Sequence, residues 1–506
     1  VQENPRTNSQ QPRLIVAFFF GLCLASYLCA PVYNPDIFSH LIFGRFIHST
    51  MGGAPTTDIW TQFGSDKPWL SSSTLFDYAI ASFESFFGLK GMLIFKLVSF
   101  CLIVLSLILS LFLLSGSIFF GSFLAAIIAS AIFEAGQFGV TELSYLYLPL
   151  QVTVLYQLQS KKFRLPLVLL IEALLFAALA NTHLSAIFVL PALIVLAFSI
   201  LPTLQAAVLA ATLVLAGLIG PYFGGQLLFT LKNFTGLFSA NFYGASGAPT
   251  IYNYSFSGML ILLTLLLSMI GRNYQVLKSV EVLLVGTVVL TSFASSHVVG
   301  YGLISLGLCM AVVWQRLDGS SIMQGIFGGL NKLAGKLSKF PALGSAWVLL
   351  CMAIVNVFGE LKAGILEAHL PKAELEYLVK QPNLQPLLHE STIGGYVIYK
   401  FSDESGAPKL KAAFDDERLF YFRPDYAYLA AKFDQLRSGW DELLSEVEPR
   451  SIIVKRGTPA FKLLSSDQRF QEVENTELGV LENSENPESG KNVIPARLWA
   501  LFTLRS

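Results

Sequence analysis

Apolar runs close to the roughly 20 residues that a membrane-spanning helix needs recur along residues 1–359, and polar positions collect in the links between them. Since a span must satisfy its backbone within its own helix, the pattern predicts about eleven spans. They are Leu14–Val32, Gly91–Leu114, Ser117–Phe133, Leu143–Leu158, Leu165–Ala180, Leu184–Leu201, Leu204–Tyr222, Phe256–Ile270, Val280–Ser295, Val299–Trp314 and Ala342–Gly359. Gln226–Phe238 reads as a re-entrant or interfacial piece. The first run follows Arg13 as a signal peptide would, but no small-x-small cleavage pattern precedes a cut, so it reads as a retained anchor.

The link 33–90 is too rich in Phe, Trp, Leu and Ile for a linker. Asp36–His48 is expected as an amphipathic helix, Gly52-Gly53-Ala54-Pro55 breaks it, and Leu75–Phe87 is expected as an interfacial helix returning to the membrane. Leu237–Tyr254, with its tyrosines, suits the headgroup level. Gly319–Lys339 reads as a helix lying on an anionic leaflet. From residue 360 the pattern changes to a soluble domain, 360–506, in which acidic residues outnumber basic ones. Tyr396–Phe401 and Ala412–Asp415 are expected as strands, Tyr426–Leu436 and Trp440–Val447 as helices, and Ser451–Val454 as a buried strand, which makes a small α/β domain. Glu472–Lys491 is polar and reads as loose.

Composition agrees with spans. Hydrophobic residues make up 54% and charged residues 13%, about half the charged share of a soluble globular protein, and mean hydropathy is +0.59. Net charge is zero, so no basic field points to nucleic acid. The five Cys lie in apolar runs, which indicates neither a disulfide framework nor a thiolate metal site. With the N-terminus inside, Lys161, Lys162, Arg164, Arg272, Lys278, Arg316 and Lys332 fall in inner loops, and the short outer loops hold only Arg45, Lys67, Lys90 and Lys232. An odd number of spans then places the C-terminal domain outside. The expected setting is a multi-pass protein of a bacterial inner membrane, its N-terminus cytoplasmic and its C-terminal domain extracytoplasmic.

No P-loop, dinucleotide-binding glycine pattern, zincin motif or nucleophile elbow stands in a suitable context, and Gly394-Gly395 reads as a tight-turn pair. Polar residues at membrane boundaries remain, where ionisable groups are functional suspects. Asp36, with His40 one turn later, can bind a divalent cation such as Mg or Mn or act as a base toward a hydroxyl, or it can cap a helix. Asp58 can be a ligand or a turn cap. Glu134 and Glu142 flank an outer link, where they can face a cavity or be solvated. Asn181-Thr182-His183 ends the fifth span, and Ser296-His297 ends the ninth, where a cationic imidazole can hold a phosphate. Lys96 and Glu172 lie inside spans and can pair or snorkel. In the tail, Asp415-Asp416-Glu417-Arg418 can bind a metal, but reads in preference as a solvated turn with a local Arg–carboxylate pair.

The arrangement resembles the GT-C superfamily of polytopic glycosyltransferases, and more narrowly a broad bacterial group within or beside it. Pro35-Asp36, Ser39-His40-Leu41, Gly44 and Gly53-x-Pro55-x-x-Asp58 are similar to the group's first-loop pattern, and Pro68-Trp69 to its next element. Asn181-x-His183 and Gly220-Pro221-Tyr222-x-Gly224 resemble its middle motifs. Gly394-Gly395-Tyr396-x-Ile398, Phe414-Asp415-x-x-Arg418 and Tyr421 resemble its tail signature. Where the group has His-Glu-Trp-Leu, this chain has Ser72-Ser73-Thr74-Leu75, and a late Arg is replaced by His297. The resemblance implies a polyprenyl-phosphate-linked sugar donor among membrane lipids, with Asp36 as base or cation ligand beside His40 and Asp58. It implies phosphate contacts from His183 and His297, and a cavity or acceptor lining that includes Trp69, Glu142 and Asn181. The departures leave open a non-catalytic relative, such as a lipid-linked-glycan transporter or an envelope-assembly scaffold.

Overall fold

The computed structural model describes residues 11–28, 35–132 apart from 66, 68 and 72, 139–225, 263, 299–317, 349–354, 370–415, 424–473 and 498–504. Glu134, His297, the Gln226–Phe238 piece, the Leu237–Tyr254 stretch, the span Val280–Ser295, the linker Gly319–Lys339 and nearly all of Phe256–Ile270 lie outside these residues. The chain gathers into two compact units, Val1–Val32 with Leu89–Gly364, and Tyr33–Gly88 with Ile365–Ser506. The reading along the chain groups 33–90 with the spans; in the structure residues 33–88 pack with the tail.

The chain starts in α1 (Gln11–Leu28), leaves for α2 (Asp36–Ser49) and α3 (Thr74–Phe87) of the second unit, and returns as α4 (Lys90–Ser115). The first unit continues through α5 (Ile118–Ile132), α6 (Val140–Ser144), α7 (Tyr147–Gln159), α8 (Leu165–Ala180), α9 (Ala186–Ile200), α10 (Thr203–Ala216) and α11 (Val299–Leu317). The expected spans are largely helical where they are described, but Leu143–Leu158 is divided into α6 and α7, and the helix of Leu204–Tyr222 ends at Ala216, with 217–222 in turns. Among the described residues, α4 is the one helix long and apolar enough to cross a membrane. The helices α8, α9 and α10 run for 16, 15 and 14 residues, less than a full bilayer crossing. Ile103, Val104, Leu107 and Leu111 of α4 are buried, yet Leu102, Leu109, Leu170, Leu174 and Leu215 stay exposed. Helices apolar on every side belong in a large core or in lipid.

The second unit adds α12 (Lys372–Lys380), β1 (Leu387–His389), α13 (Gly394–Phe401), α14 (Pro424–Gln435), α15 (Glu442–Val447), β2 (Ser451–Lys455), α16 (Pro459–Ser466), β3 (Phe470–Glu472) and β4 (Trp499–Leu504). The sheet order is β1-β2-β4-β3. β1 runs parallel to β2, with Leu388 opposite Ile452, and β4 runs antiparallel to both β2 and β3. The helical expectations for the tail and the strand Ser451–Val454 match α14, α15 and β2.

Two strand expectations are corrected. Tyr396–Phe401 is helical, because its β-prone residues pack as one turn-rich face: Tyr396 and Tyr399 both sit 5.0 Å from the Phe38 ring of α2. Tertiary packing overrides strand propensity here. Gly394-Gly395 accordingly opens a helix rather than a turn. Ala412–Asp415 forms a single parallel bridge, Ala412 to Thr61, with the Gln62 amide donating to the Ala412 carbonyl at 2.8 Å. A third difference concerns α2, expected to be amphipathic. Its residues from Ile37 to Gly44 are all buried, so it is a core helix of its unit.

Candidate functional site

In the second unit, α2 and α3 cross at very close range. A Cβ on Gly44 would stand 2.0 Å from the Asp77 carbonyl, so only glycine lets the two backbones meet. This approach brings His40 of α2 to Asp77 of α3. His40 Nδ1 donates to Asp77 Oδ1 at 2.6 Å; Ser71 Oγ donates to Oδ2 at 2.9 Å and Ser73 Oγ to Oδ1 at 3.0 Å. His40 is 4% exposed and Asp77 fully buried, so the carboxylate is matched by donors as a buried charge must be. Asp77, Ser71 and Ser73 are absent from the candidates read along the sequence. The signal was an acid on the buried face of α3, between Phe76 and Ile80, which demands a partner. The serines stand in the stretch that departs from the resembling group's His-Glu pattern.

Asp36 is half-buried in the first turn of α2, where Pro35 is the N-cap residue and no side-chain cap bond forms. As residues four apart, Asp36 and His40 share a helix face. The tail reaches the same spot. A Cβ on Gly395 would lie 2.6 Å from the Pro35 carbonyl and 2.9 Å from the Asp36 Cα. Two motifs some 360 residues apart therefore touch backbone to backbone within one unit. Gly395→Ala is expected to destabilise this unit by about 1–3 kcal/mol, the usual range for overpacking; a thermal unfolding curve checks it, and an unchanged midpoint would show that the contact is loose.

Asp58 takes the turn-capping alternative. Its carboxylate accepts from the Trp60 and Thr61 amides at 2.9 and 3.1 Å and from Thr61 Oγ1 at 2.6 Å. Trp69, expected to line a cavity, is instead buried against Phe43 and Trp60, with ring centroids 4.6 and 4.4 Å away. Both are positions that build the loop's core.

The first unit holds its own polar layer. Asn181 Nδ2 donates to the Ala177 carbonyl at 2.8 Å and the Ile219 carbonyl at 2.6 Å. The Asn-x-His motif thereby grips the turn that carries Gly220-Pro221-Tyr222. His183 Nδ1 accepts from the Ser185 amide at 3.1 Å, which fixes the proton on Nε2, and Nε2 donates to Thr141 Oγ1 at 3.1 Å. In this arrangement both ring nitrogens of His183 are engaged within the helical unit. Tyr301 Oη lies 2.6 Å from Ser185 Oγ and donates to Ser144 Oγ at 2.5 Å. Glu142, half-buried, sits at the third position of α6. Desolvation raises its carboxyl above the ordinary range, opposed by the amides of Glu142 and Gly139 and by the charge of Lys96. Reaching back to the N-cap amide is the acidic half of a capping box.

Among the described residues, no three His, Cys, Asp or Glu side chains come together as a cation site.

No family model matches the chain, and no curated protein matches it. The chain is similar to a solved structure, the Archaeoglobus fulgidus oligosaccharyltransferase tethered with an acceptor peptide containing the NVT sequon via a disulfide bond. The likeness covers 88% of this chain and 69% of that one, at 10% identity and a TM-score of 0.49.

Proposed function

We propose that this protein is a multi-pass membrane glycosyltransferase that moves a sugar from a polyprenyl-phosphate donor to an envelope glycan, lipid or protein acceptor on the extracytoplasmic side. One observation carries the reading: the motifs that resemble the GT-C group meet in pairs. Pro35-Asp36 abuts Gly395, and Asn181 grips the turn at Ile219.

In this reading Asp36, at the N-terminal end of α2, takes the proton of the acceptor hydroxyl as that oxygen attacks the anomeric carbon and the polyprenyl phosphate departs. His40, committed to Asp77 through Nδ1, anchors the helix that presents Asp36.

The test compares the surface glycans of a deletion strain with those of its parent, by mass spectrometry of the released glycans. Wild-type protein is expected to restore the missing sugar and an equally abundant Asp36→Asn variant to fail. Full restoration by Asp36→Asn would sink the base assignment, and unaltered glycans in the deletion strain would favour the transporter or scaffold.

A further inference from the structure

Resting on the membrane reading proposed above, we infer that the C-terminal ends of α2 and α3 form an apolar foot, Met51 with Phe86 and Phe87, seated in the extracytoplasmic leaflet of the bilayer. The partner of this surface is lipid, and the foot belongs wholly to the second unit.

Contacts between α2 and α3 run in the same order along both helices. His40 meets Asp77, and Arg45 Nη2 donates to Glu84 Oε1 at 2.6 Å. Past the close approach at Gly44, the two C-terminal ends therefore emerge on one side of the crossing. His48 of α2 stacks on Tyr78 of α3, with ring centroids 4.2 Å apart and planes 7° from parallel, and its Nε2 lies 3.1 Å from Ser82 Oγ. These contacts fix the spacing of the two ends.

What the ends present is apolar. Met51 is 99% exposed, Phe86 81% and Phe87 55%. The Phe87 ring stands 6.3 Å from that of Phe83 and 6.4 Å from that of Phe86, so the phenylalanines form a cluster rather than isolated side chains. In the tail, Val379, Tyr428, Leu498 and Leu504 stay at 36–43% exposure and lie far apart in the chain. Scattered apolar residues are ordinary on a surface, whereas a cluster marks a contact.

Met51 is also held in a conformation that L side chains rarely adopt, with φ at +55°. It follows the C-cap residue Thr50, and the Gly52 amide donates to the Ile47 carbonyl at 2.8 Å. Glycine is the usual occupant of the left-handed position that such a bond closes over. Glycines stand next in the chain, at Gly52 and Gly53, yet a methionine holds this place and is covered by nothing in its unit. A partner outside the unit accounts for it.

Chain continuity names that partner. Only Gly88 and Leu89 separate Phe87 from α4, which among the described residues is the helix of membrane-crossing length. Positions so near the start of a span lie at the headgroup level, where aromatic rings and basic anchors are favoured. Lys90, exposed at the first position of α4, supplies the anchor.

The experiment places the photo-crosslinking residue p-benzoylphenylalanine at one position at a time in the full chain, reconstituted in phospholipid nanodiscs. After irradiation, lipid adducts are identified by mass spectrometry. Replacement of Met51, Phe86 or Phe87 is expected to give adducts with lipid acyl chains. Leu109, exposed on α4, is the reference for the bilayer, and Val379, exposed on α12, is the reference for solvent. Met51→Asp leaves the packing of the unit intact, since Met51 is 99% exposed. It is expected to lower the adduct yield at Phe86, because a carboxylate resists transfer out of water.

Adducts at Leu109 without adducts at Met51, Phe86 and Phe87 would overturn the foot and leave the membrane reading standing. Absence of adducts at Leu109 as well would overturn both. Equal yields at Phe86 and Val379 would show unspecific contact and sink the inference. Crosslinks to a second copy of the chain in place of lipid would reassign the face to an interface between copies. An unchanged yield at Phe86 in the Met51→Asp background would overturn the joint action of the two helix ends.

Discussion

Asp77→Ala is expected to unfold the second unit, or to lower its stability by roughly 3–5 kcal/mol, because it leaves three buried donors without their acceptor, each a loss of about 1–3 kcal/mol when unsatisfied. Three donors converge on this carboxylate, the His40 ring at 2.6 Å and the hydroxyls of Ser71 and Ser73. None of them reaches water easily after the deletion, since His40, Ser71 and Ser73 are 3–4% exposed. The cavity left between α2 and α3 adds to the loss. Asp77→Asn keeps the volume and one acceptor oxygen but points an amide at donors, so a smaller loss is expected. Unfolding followed by intrinsic tryptophan fluorescence reads this directly, because Trp60 and Trp69 pack on Phe43 in the same helix as His40. Equal midpoints for wild type and Asp77→Ala would show that the network contributes nothing.

The second large effect is acid destabilisation through His389. Its ring is fully buried at the end of β1, 4.7 Å from Phe414, with Nδ1 donating to the Glu390 carbonyl at 2.9 Å. Burial depresses the imidazole from 6.5 to about 4. The fold therefore holds His389 neutral, and the unfolded chain protonates first. Stability from this group is complete above pH 6.5 and is lost as pH falls from 6.5 towards 4, by about 3 kcal/mol in all. Urea unfolding at pH 7 and pH 4.5 is expected to show the loss in wild type. His389→Leu, which continues the apolar run of Leu387 and Leu388, is expected to remove this part of the slope. A variant with the wild-type pH dependence would reassign the titration to another group.

Periodicity made the helices legible, and it misled where packing outweighs it. α3, α4 and α8 stand within a residue or two of their expected positions, because long apolar runs bounded by polar turns leave little choice. α13 did not, since Tyr-Val-Ile-Tyr reads as a strand until Phe38 is placed beneath it. β1 and β3 are three residues long, too short for alternation to register. At the candidate site, Asp36, His40 and Asn181 could be named from their boundary positions and motif context. Asp77 could not be given its role, because its meaning depends on Gly44, and a glycine shows no partner until two helices are docked. Trp69 and Asp58 show the converse: residue types that suit a site can equally build the loop's own core.

Residues 33–88 and 365–506 share one compact unit although residues 89–364 intervene. During synthesis the early segment must therefore wait, exposing Phe38, Phe43, Trp60 and Trp69, until the distant partner has been made. Closing so long a loop is slow, and a prematurely terminated product ending before residue 365 would leave those aromatic faces open to capture by chaperones or proteases.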